Sequence, residues 1–240
     1  MACSTLNAQQ AGIAIYGAPT LAKIKYADFN TFADSYNSYN GYDLHGFDKM
    51  KVNLTYGVDI FVKFMYFGLY YNKFSASSNA IKVSANTDRH FDLSSKSYMT
   101  NIGWNIGKGP ISISPFMPLG LNRTFLDVYM KYFGQDKYYG SYKLDGNYTG
   151  LSGKFGFGLK VNFFLKPFFA SLGFSKVYTI FGASEMDDFG TKNGYSSIAT
   201  DWSTYQSVNS WDYTGKFMSS NHRDFNLFLN LGLFIGKTDH

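Results

Sequence analysis

The chain has one cysteine, Cys3, in 240 residues. Neither a disulfide framework nor a thiolate zinc site is therefore open to it. Proline is scarce at five residues, which excludes collagen and Pro-rich linkers. Charged residues make up 16%, against about a quarter in ordinary soluble domains. Long apolar runs are missing too. The most apolar stretch, Phe225 to Gly236, is broken by Asn226 and Asn230. No segment reaches the roughly 18 apolar residues of a membrane helix. Aromatics, by contrast, are 20% of the chain, which excludes a disordered protein. The mean hydropathy of −0.19 resembles that of a soluble protein. A membrane barrel gives a similar average, because its apolar signal is split over alternate residues.

The balance of charge is basic, with 22 Lys and Arg against 17 acids. These cations are scattered singly, without the basic stripe of a nucleic-acid binder. No nucleic-acid partner is expected. Residues 1–10 are expected to be a flexible lead or the remnant of a signal peptide, and 238–240 a tail. Cys3 lacks the preceding apolar run of a lipid-anchored cysteine.

Period-two alternation dominates the rest. From Leu151 to Phe163, odd positions read Leu151, Gly153, Phe155, Phe157, Leu159, Val161 and Phe163. Even positions read Ser152, Lys154, Gly156, Gly158, Lys160 and Asn162. Such a segment is a strand with one greasy and one polar or small face. Val52–Lys63, Tyr98–Ile106, Ile111–Leu121 and Phe225–Ile235 repeat the pattern, and weaker versions complete the chain. The reading gives eight strands, at 11–27, 50–63, 66–78, 90–107, 110–133, 142–165, 167–182 and 222–237. Most reach the roughly 9–11 residues that a tilted membrane strand needs.

The connections alternate in length. Lys63-Phe64-Met65, Gly107-Lys108-Gly109-Pro110 and Leu165-Lys166-Pro167 are tight turns, whereas 28–49, 79–89, 134–141 and 183–221 are long. The acids Asp28, Asp34, Asp43, Asp48, Asp88, Asp136, Glu185, Asp187, Asp188, Asp201 and Asp212 fall in the long connections, and the turns carry only lysine. Phe64, Tyr66, Phe67, Phe163, Phe164, Phe168 and Phe169 flank the turns, and Tyr26, Tyr129, Tyr132 and Phe133 lie toward the loops. Both sets are expected to form interfacial girdles. The expectation is an all-β protein: an eight-stranded antiparallel up-and-down transmembrane β-barrel over 11–237, with short periplasmic turns and long extracellular loops. A soluble lipocalin-like ligand binder is the architectural rival, with its apolar faces turned inward.

On these residues the chain resembles the small eight-stranded outer-membrane barrels of the OmpA/OmpX type. Its richness in Tyr, Asn and Phe is similar to the barrels of Bacteroidota. The closing Asn230-Leu231-Gly232-Leu233-Phe234-Ile235 is similar to the assembly signal in the last strand of such barrels. It departs from them in ending on Gly236-Lys237-Thr238-Asp239-His240. The resemblance implies integral location in the outer membrane, with lipid and lipopolysaccharide as surroundings and no cofactor.

Inside so narrow a barrel, side chains fill the space. Tyr16, Phe61, Tyr70, Phe74, Phe116, Phe228 and Phe234 are expected to point inward. Inward charges must be paired, so Asp59, Lys63, Lys154 and Lys160 are expected to form one ion-pair network. That network is either an ion path or a self-satisfied plug. His90 and His222 fall on strands nearly opposite in the ring, so a catalytic dyad is not expected, and Glu185-Met186-Asp187-Asp188 lacks calcium-loop spacing. No metal ligand set is expected. The long loops carry Tyr36, Tyr39 and Tyr42, and later Tyr195, Trp202, Tyr205, Trp211 and Tyr213, among small polar residues. Adaptable binding loops have this composition. These aromatics either contact a protein partner or fold over the barrel mouth. Three functions stay open: a non-catalytic loop scaffold or subunit of a larger outer-membrane assembly, a small pore, and a lipid-modifying enzyme.

Overall fold

Strands form where alternation lets each face meet one medium, and eight long ones do so here. A computed structural model describes residues 10–47, 49–80, 87–107, 109–132, 136–140, 144–188, 197–208 and 212–238. The barrel strands are β1 (Gln10–Lys25), β2 (Lys51–Lys63), β3 (Met65–Ala80), β4 (Thr87–Trp104), β5 (Ile111–Tyr132), β6 (Gly146–Leu165), β7 (Phe168–Gly182) and β9 (Arg223–Thr238). A two-residue strand, β8 (Asp187–Asp188), lies in the last long connection and pairs with β6. Each barrel strand pairs antiparallel with its neighbour in the chain, β7 with β9, and β1 with β9 to close the ring. The fold is a closed eight-stranded up-and-down barrel. Closure leaves none of the unpaired strand edges that a bilayer forbids.

Register puts both chain ends at the short-turn end, where Gln10 faces Lys63 on one side and Thr238 on the other. The β2–β3 hairpin closes with Val62 opposite Met65, and Lys63 adopts a left-handed φ of 53° to make that turn. The β6–β7 hairpin pairs Leu165 with Phe168 around Lys166 and Pro167. In the β4–β5 turn, Gly109 takes a φ of 69° that a side chain would resist. Lys108 lies outside the described residues.

The apolar faces point outward. Leu229 and Phe157 are 40% and 52% exposed, and Ile13, Leu54, Leu69, Ile113, Leu119 and Leu172 belong to the same belt. A protein in water does not leave so continuous an apolar surface uncovered. A hydrocarbon environment is its complement, as in a transmembrane barrel. The lipocalin-like alternative, with apolar residues inside, is overturned by the direction of these side chains.

The interior has layers. Toward the short turns, Phe61, Tyr66, Phe116, Phe164, Phe169 and Phe234 form an aromatic plug, with Phe164 4.9 Å from Phe234 and 5.0 Å from Phe61. Tyr66, Phe164 and Phe169 were expected in the lower girdle; they point inward instead. Parity decides this, because each continues the inward face of its strand. Phe64, Phe67 and Phe168 do face outward. Above the plug lies a polar layer, and above that a second apolar cluster at the loop end. Tyr26 was likewise expected at the outer interface but is buried in this upper cluster.

The long connections are not all irregular. Residues Ala27–Asn40 form a helix, α1, and Trp202–Ser207 a short helix, α2. Phe29, Phe32, Ala33 and Tyr36 of α1 recur at helical spacing and are all buried, so one face of α1 packs down on the barrel mouth.

Candidate functional site

The chemistry-bearing side chains gather at two levels, the capped mouth and the lumen below it. In the cap, α1 brings Phe29, Phe32 and Tyr36 against Phe91 of β4, each within about 6 Å between ring centroids. Trp202 of α2 packs edge-on to Phe32 at 5.9 Å. The cap is tied down by polar contacts. Arg89 donates from Nε to Asp145 at 2.9 Å and from its guanidinium to the Tyr36 hydroxyl at 2.8 Å. The Asp28 carboxylate accepts from Lys216 Nζ at 2.5 Å and from Ser219 Oγ at 2.6 Å. Burial pushes the Asp28 carboxyl up, but the hydrogen bonds from Lys216 and Ser219 outweigh it and hold the group below the usual carboxylate range. Asp201 caps α2 by accepting from Thr204 N at 3.2 Å, and it also accepts from Ser35 of α1 at 3.1 Å.

Of the loop aromatics proposed as partner contacts, Tyr36, Trp202 and Tyr205 are at most 2% exposed and cannot touch a partner while the cap is closed. Burial of their large apolar area holds the cap on the barrel, which is the reason for this difference. Tyr42 and Tyr213 are partly buried against the same cluster, and Tyr39 is 54% exposed. Tyr195 and Trp211 lie outside the described residues.

Beneath the cap, Lys154 donates to the His222 carbonyl at 2.8 Å and lies 3.4 Å from Asp224. His222 Nδ1 is 3.1 Å from the Ser220 carbonyl, and Nε2 is 3.3 Å from Asp224. Burial pushes the His222 imidazole down, and the Lys154 charge adds to this, to about 4. The neutral ring is therefore the form that the folded protein favours. Between pH 6.5 and 4 the unfolded chain binds the proton and the folded one does not. This stability is complete above pH 6.5 and is lost as pH falls toward 4, by roughly 3 kcal/mol. Thermal unfolding in detergent at pH 7.5 and 4.5 measures it. A His222→Asn variant should show a smaller acid shift than the parent; an equal shift would place the acid sensitivity elsewhere.

Deeper, Lys160 and Asp59 form an ion pair in which both side chains are essentially inaccessible. Lys160 Nζ also lies 4.1 Å from the centroid of the Tyr66 ring, and the Tyr16 hydroxyl is 3.4 Å from Asp59. Gly57 and Gly68 make this possible. A Cβ on Gly57 would come within 2.4 Å of the Tyr16 ring, and one on Gly68 within 2.3 Å of the Asp59 carboxylate. Of the four charges expected in one network, the structure brings together Asp59 and Lys160 alone. Lys154 stands six residues from Lys160 on the same strand, about 20 Å away, and pairs with Asp224 instead. Lys63 sits in the β2–β3 turn and is exposed.

The remaining space in the lumen is small. A cavity of about 30 Å3, lined by Tyr16, Thr20, Thr55, Tyr70, Asn101 and Asn230 among others, has room for about two waters. Elsewhere polar side chains pair across the lumen: Asn162 donates to Ser114 at 2.8 Å, Asn230 to Ser171 at 2.8 Å, and Thr20 meets Thr55 at 2.9 Å. His90, the other histidine considered for catalysis, stacks on Tyr129 at 5.2 Å on β4. Four strand steps separate β4 from β9, so His90 and His222 do not meet. No group of three metal-ligating side chains occurs among the described residues.

Sequence reading missed Asp224, Arg89 and Asp145. Asp224 shares parity with the inward Asn226 and Asn230, so a signal for it existed. The Arg89–Asp145 tie depends on loop geometry that alternation does not encode.

Three solved structures resemble this one. The attachment invasion locus protein Ail of Yersinia pestis, solved with the heparin analogue sucrose octasulfate, is 10% identical with a TM-score of 0.48, over 94% of this chain and 99% of that one. Neisserial surface protein A is 11% identical with a TM-score of 0.44, over 92% of this chain and 96% of that one. CarO2 of Acinetobacter baumannii is 9% identical with a TM-score of 0.31, over 93% and 99%. No protein-family model matches the sequence, and no curated protein does. The architecture therefore rests on the chain's own strand pairing and on the direction of its side chains.

Proposed function

We propose that the chain is a non-catalytic outer-membrane barrel that holds a folded cap at the cell surface as a scaffold for contacts. The observation that carries this reading is the cap itself. Two helices and the last long connection bury their aromatics on the barrel mouth and present a polar exterior. Rigid positioning of loops by a barrel is what a surface-display protein needs. Of the loop aromatics among the described residues, Tyr39 is exposed and Tyr42 and Tyr213 are partly so, which leaves them accessible to a partner. Docking through lipid-facing strands in a larger assembly is a second route for such a partner. The plugged lumen and its small cavity argue against a pore. A hydrolase or acyltransferase finds no support in the buried setting of His222.

Orientation and display are tested together by labelling intact cells. In a Cys3→Ser background, Tyr39→Cys should react with a membrane-impermeant maleimide, and Lys166→Cys should react only after the outer membrane is opened. The reverse pattern, or equal labelling of both, would overturn the reading. Discrete conductance steps from the purified barrel in planar bilayers would favour the pore.

A further inference from the structure

The outward faces of β3, β4 and β5 put three cations in one row. Lys73 stands directly opposite Lys96, and Lys96 directly opposite Arg123, on adjacent antiparallel strands. Neighbouring strands are about 4.8 Å apart, and like charges placed opposite each other destabilise a sheet. Opposite Arg123 on β6 stands Leu151, and Arg123 Nε donates to Thr149 Oγ1 at 3.1 Å. None of the ion pairs among the described residues involves Lys73 or Lys96. Two rows nearer the loops, Asp92 stands opposite Asp127. Both are engaged there: Tyr129 donates to Asp92 at 2.8 Å, and Lys137 and Tyr139 donate to Asp127 at 2.7 and 2.8 Å. Between the two rows lie Ser75, Ser94 and Phe125. Lys96 and Arg123 both lie by the Phe125 ring, 5.4 and 5.1 Å from its centroid. A groove of about 450 Å3 runs here, bordered by Lys73, Lys96, Ser75 and Ser94, with Asp92, Asp127 and Lys137 at its loop side.

The height of the row on the barrel is informative. The next row toward the short turns is Tyr71, Tyr98 and Leu121, and the Tyr71 and Tyr98 rings are 5.1 Å apart. From Leu121 down to Ile111 the outward side chains of β5 are all apolar. At the usual strand tilt that stretch spans about 25 Å of membrane normal, the height of a barrel's apolar band. The three cations thus crown the belt at headgroup level on the loop side. Immediately below them a second groove, of about 580 Å3, opens among Ile15, Tyr56, Val58, Leu69, Tyr71 and Tyr98. A cationic row above an apolar groove matches one kind of molecule, an acylated lipid with an anionic head.

We propose that this patch binds a phosphorylated, multiply acylated glycolipid of the outer leaflet. Lys73, Lys96 and Arg123 surround its phosphate, Ser75 and Ser94 offer hydroxyls, and one acyl chain lies in the Tyr71–Tyr98 groove. The phosphate offsets the mutual repulsion of the row, which a zwitterionic head does not. The assignment rests on the outer-membrane reading above and names the lipid that this part of the barrel takes.

The test titrates the barrel, folded in zwitterionic detergent, with bisphosphorylated lipid A, with the same lipid dephosphorylated, and with inorganic phosphate. Lipid adducts are counted by native mass spectrometry. The triple variant Lys73→Gln, Lys96→Gln, Arg123→Gln should bind bisphosphorylated lipid A roughly a hundredfold more weakly. The pair Lys23→Gln and Lys176→Gln flanks Phe225 on another part of the wall and should change binding little. The dephosphorylated lipid and inorganic phosphate should bind weakly to every form. Without lipid, the triple variant should melt higher than the parent, because the repulsion is gone; this also shows that it folds. Equal lipid A binding by the triple variant, an equal loss in the control pair, or inorganic phosphate binding as tightly as the lipid would each overturn the assignment. A barrel that inserts into bilayers but fails this titration loses the lipid site alone. A barrel that stays dispersed in plain buffer loses the reading beneath it.

Discussion

Replacing Asp59 by Ala is expected to destabilise the barrel by about 3–5 kcal/mol, because it leaves a buried ammonium without its partner. Lys160 is shut off from bulk solvent: its side chain is 1% exposed, it borders the small lumen cavity, and it sits against the Tyr66 ring between the aromatic plug and the polar layer. Lys160→Met alone should also be costly, since among the described residues the Asp59 carboxylate would keep the Tyr16 hydroxyl, at 3.4 Å, as its one donor. The double variant Asp59→Leu, Lys160→Met should recover most of the loss, because an apolar pair of similar volume involves no desolvated charge. Heat-modified migration on gels gives the midpoints. The comparison separates the two roles that an internal ion pair can have. A plug loses stability with one partner and regains it with both replaced. An ion path changes conductance and leaves the midpoint alone. Unchanged stability in Asp59→Ala would contradict the plug.

The second large effect is expected in the cap. Phe32→Ala removes a ring that touches Phe29, Tyr36, Phe91 and Trp202 at once. Large-to-small changes of buried Phe cost about 3–5 kcal/mol. The loss should fall on docking of the cap, because the barrel strands below are held by their own ladders. The open-cap population should rise by roughly a hundredfold or more, and proteolysis within residues 27–47 should speed up in proportion. The barrel itself should keep its heat-modified migration. If the whole barrel unfolds at the lower midpoint instead, cap and barrel are one cooperative unit. Phe32→Leu should cost less, since it keeps most of the buried area.

The barrel was legible because alternation records two media, one on each face. Leu151 to Phe163 and Phe225 to Ile235 show it without interruption, and sorting of short and long connections set the topology. Parity was also sufficient for Tyr66, Phe164, Phe169 and Tyr26, although their position near strand ends suggested a girdle. Helix α1 carried its apolar residues at 29, 32, 33 and 36 in a segment rich in Asn, Ser and Tyr. That composition has weak helix propensity, and the helix is stabilised by packing on the mouth, a tertiary effect. The pairing of Asp59 with Lys160 could be judged from their similar distance to the short turns. The partner of Lys154 could not, because Asp224 lies on β9, across β7 from β6, and the pairing depends on register through both ladders. The cation row needs register across three strands, so Lys73, Lys96 and Arg123 look unrelated in the linear sequence.

All of this depends on acyl chains being the medium around the outward side chains. Nuclear Overhauser transfer from lipid methylene protons to the methyls of Leu119 and Leu229, in the barrel reconstituted into nanodiscs, tests that contact directly. Strong transfer to both leucines, with none to the methyls of the buried Leu93 and Leu126, is the expected result. Strong transfer from water to Leu119 and Leu229, with silence from the lipid, would contradict it.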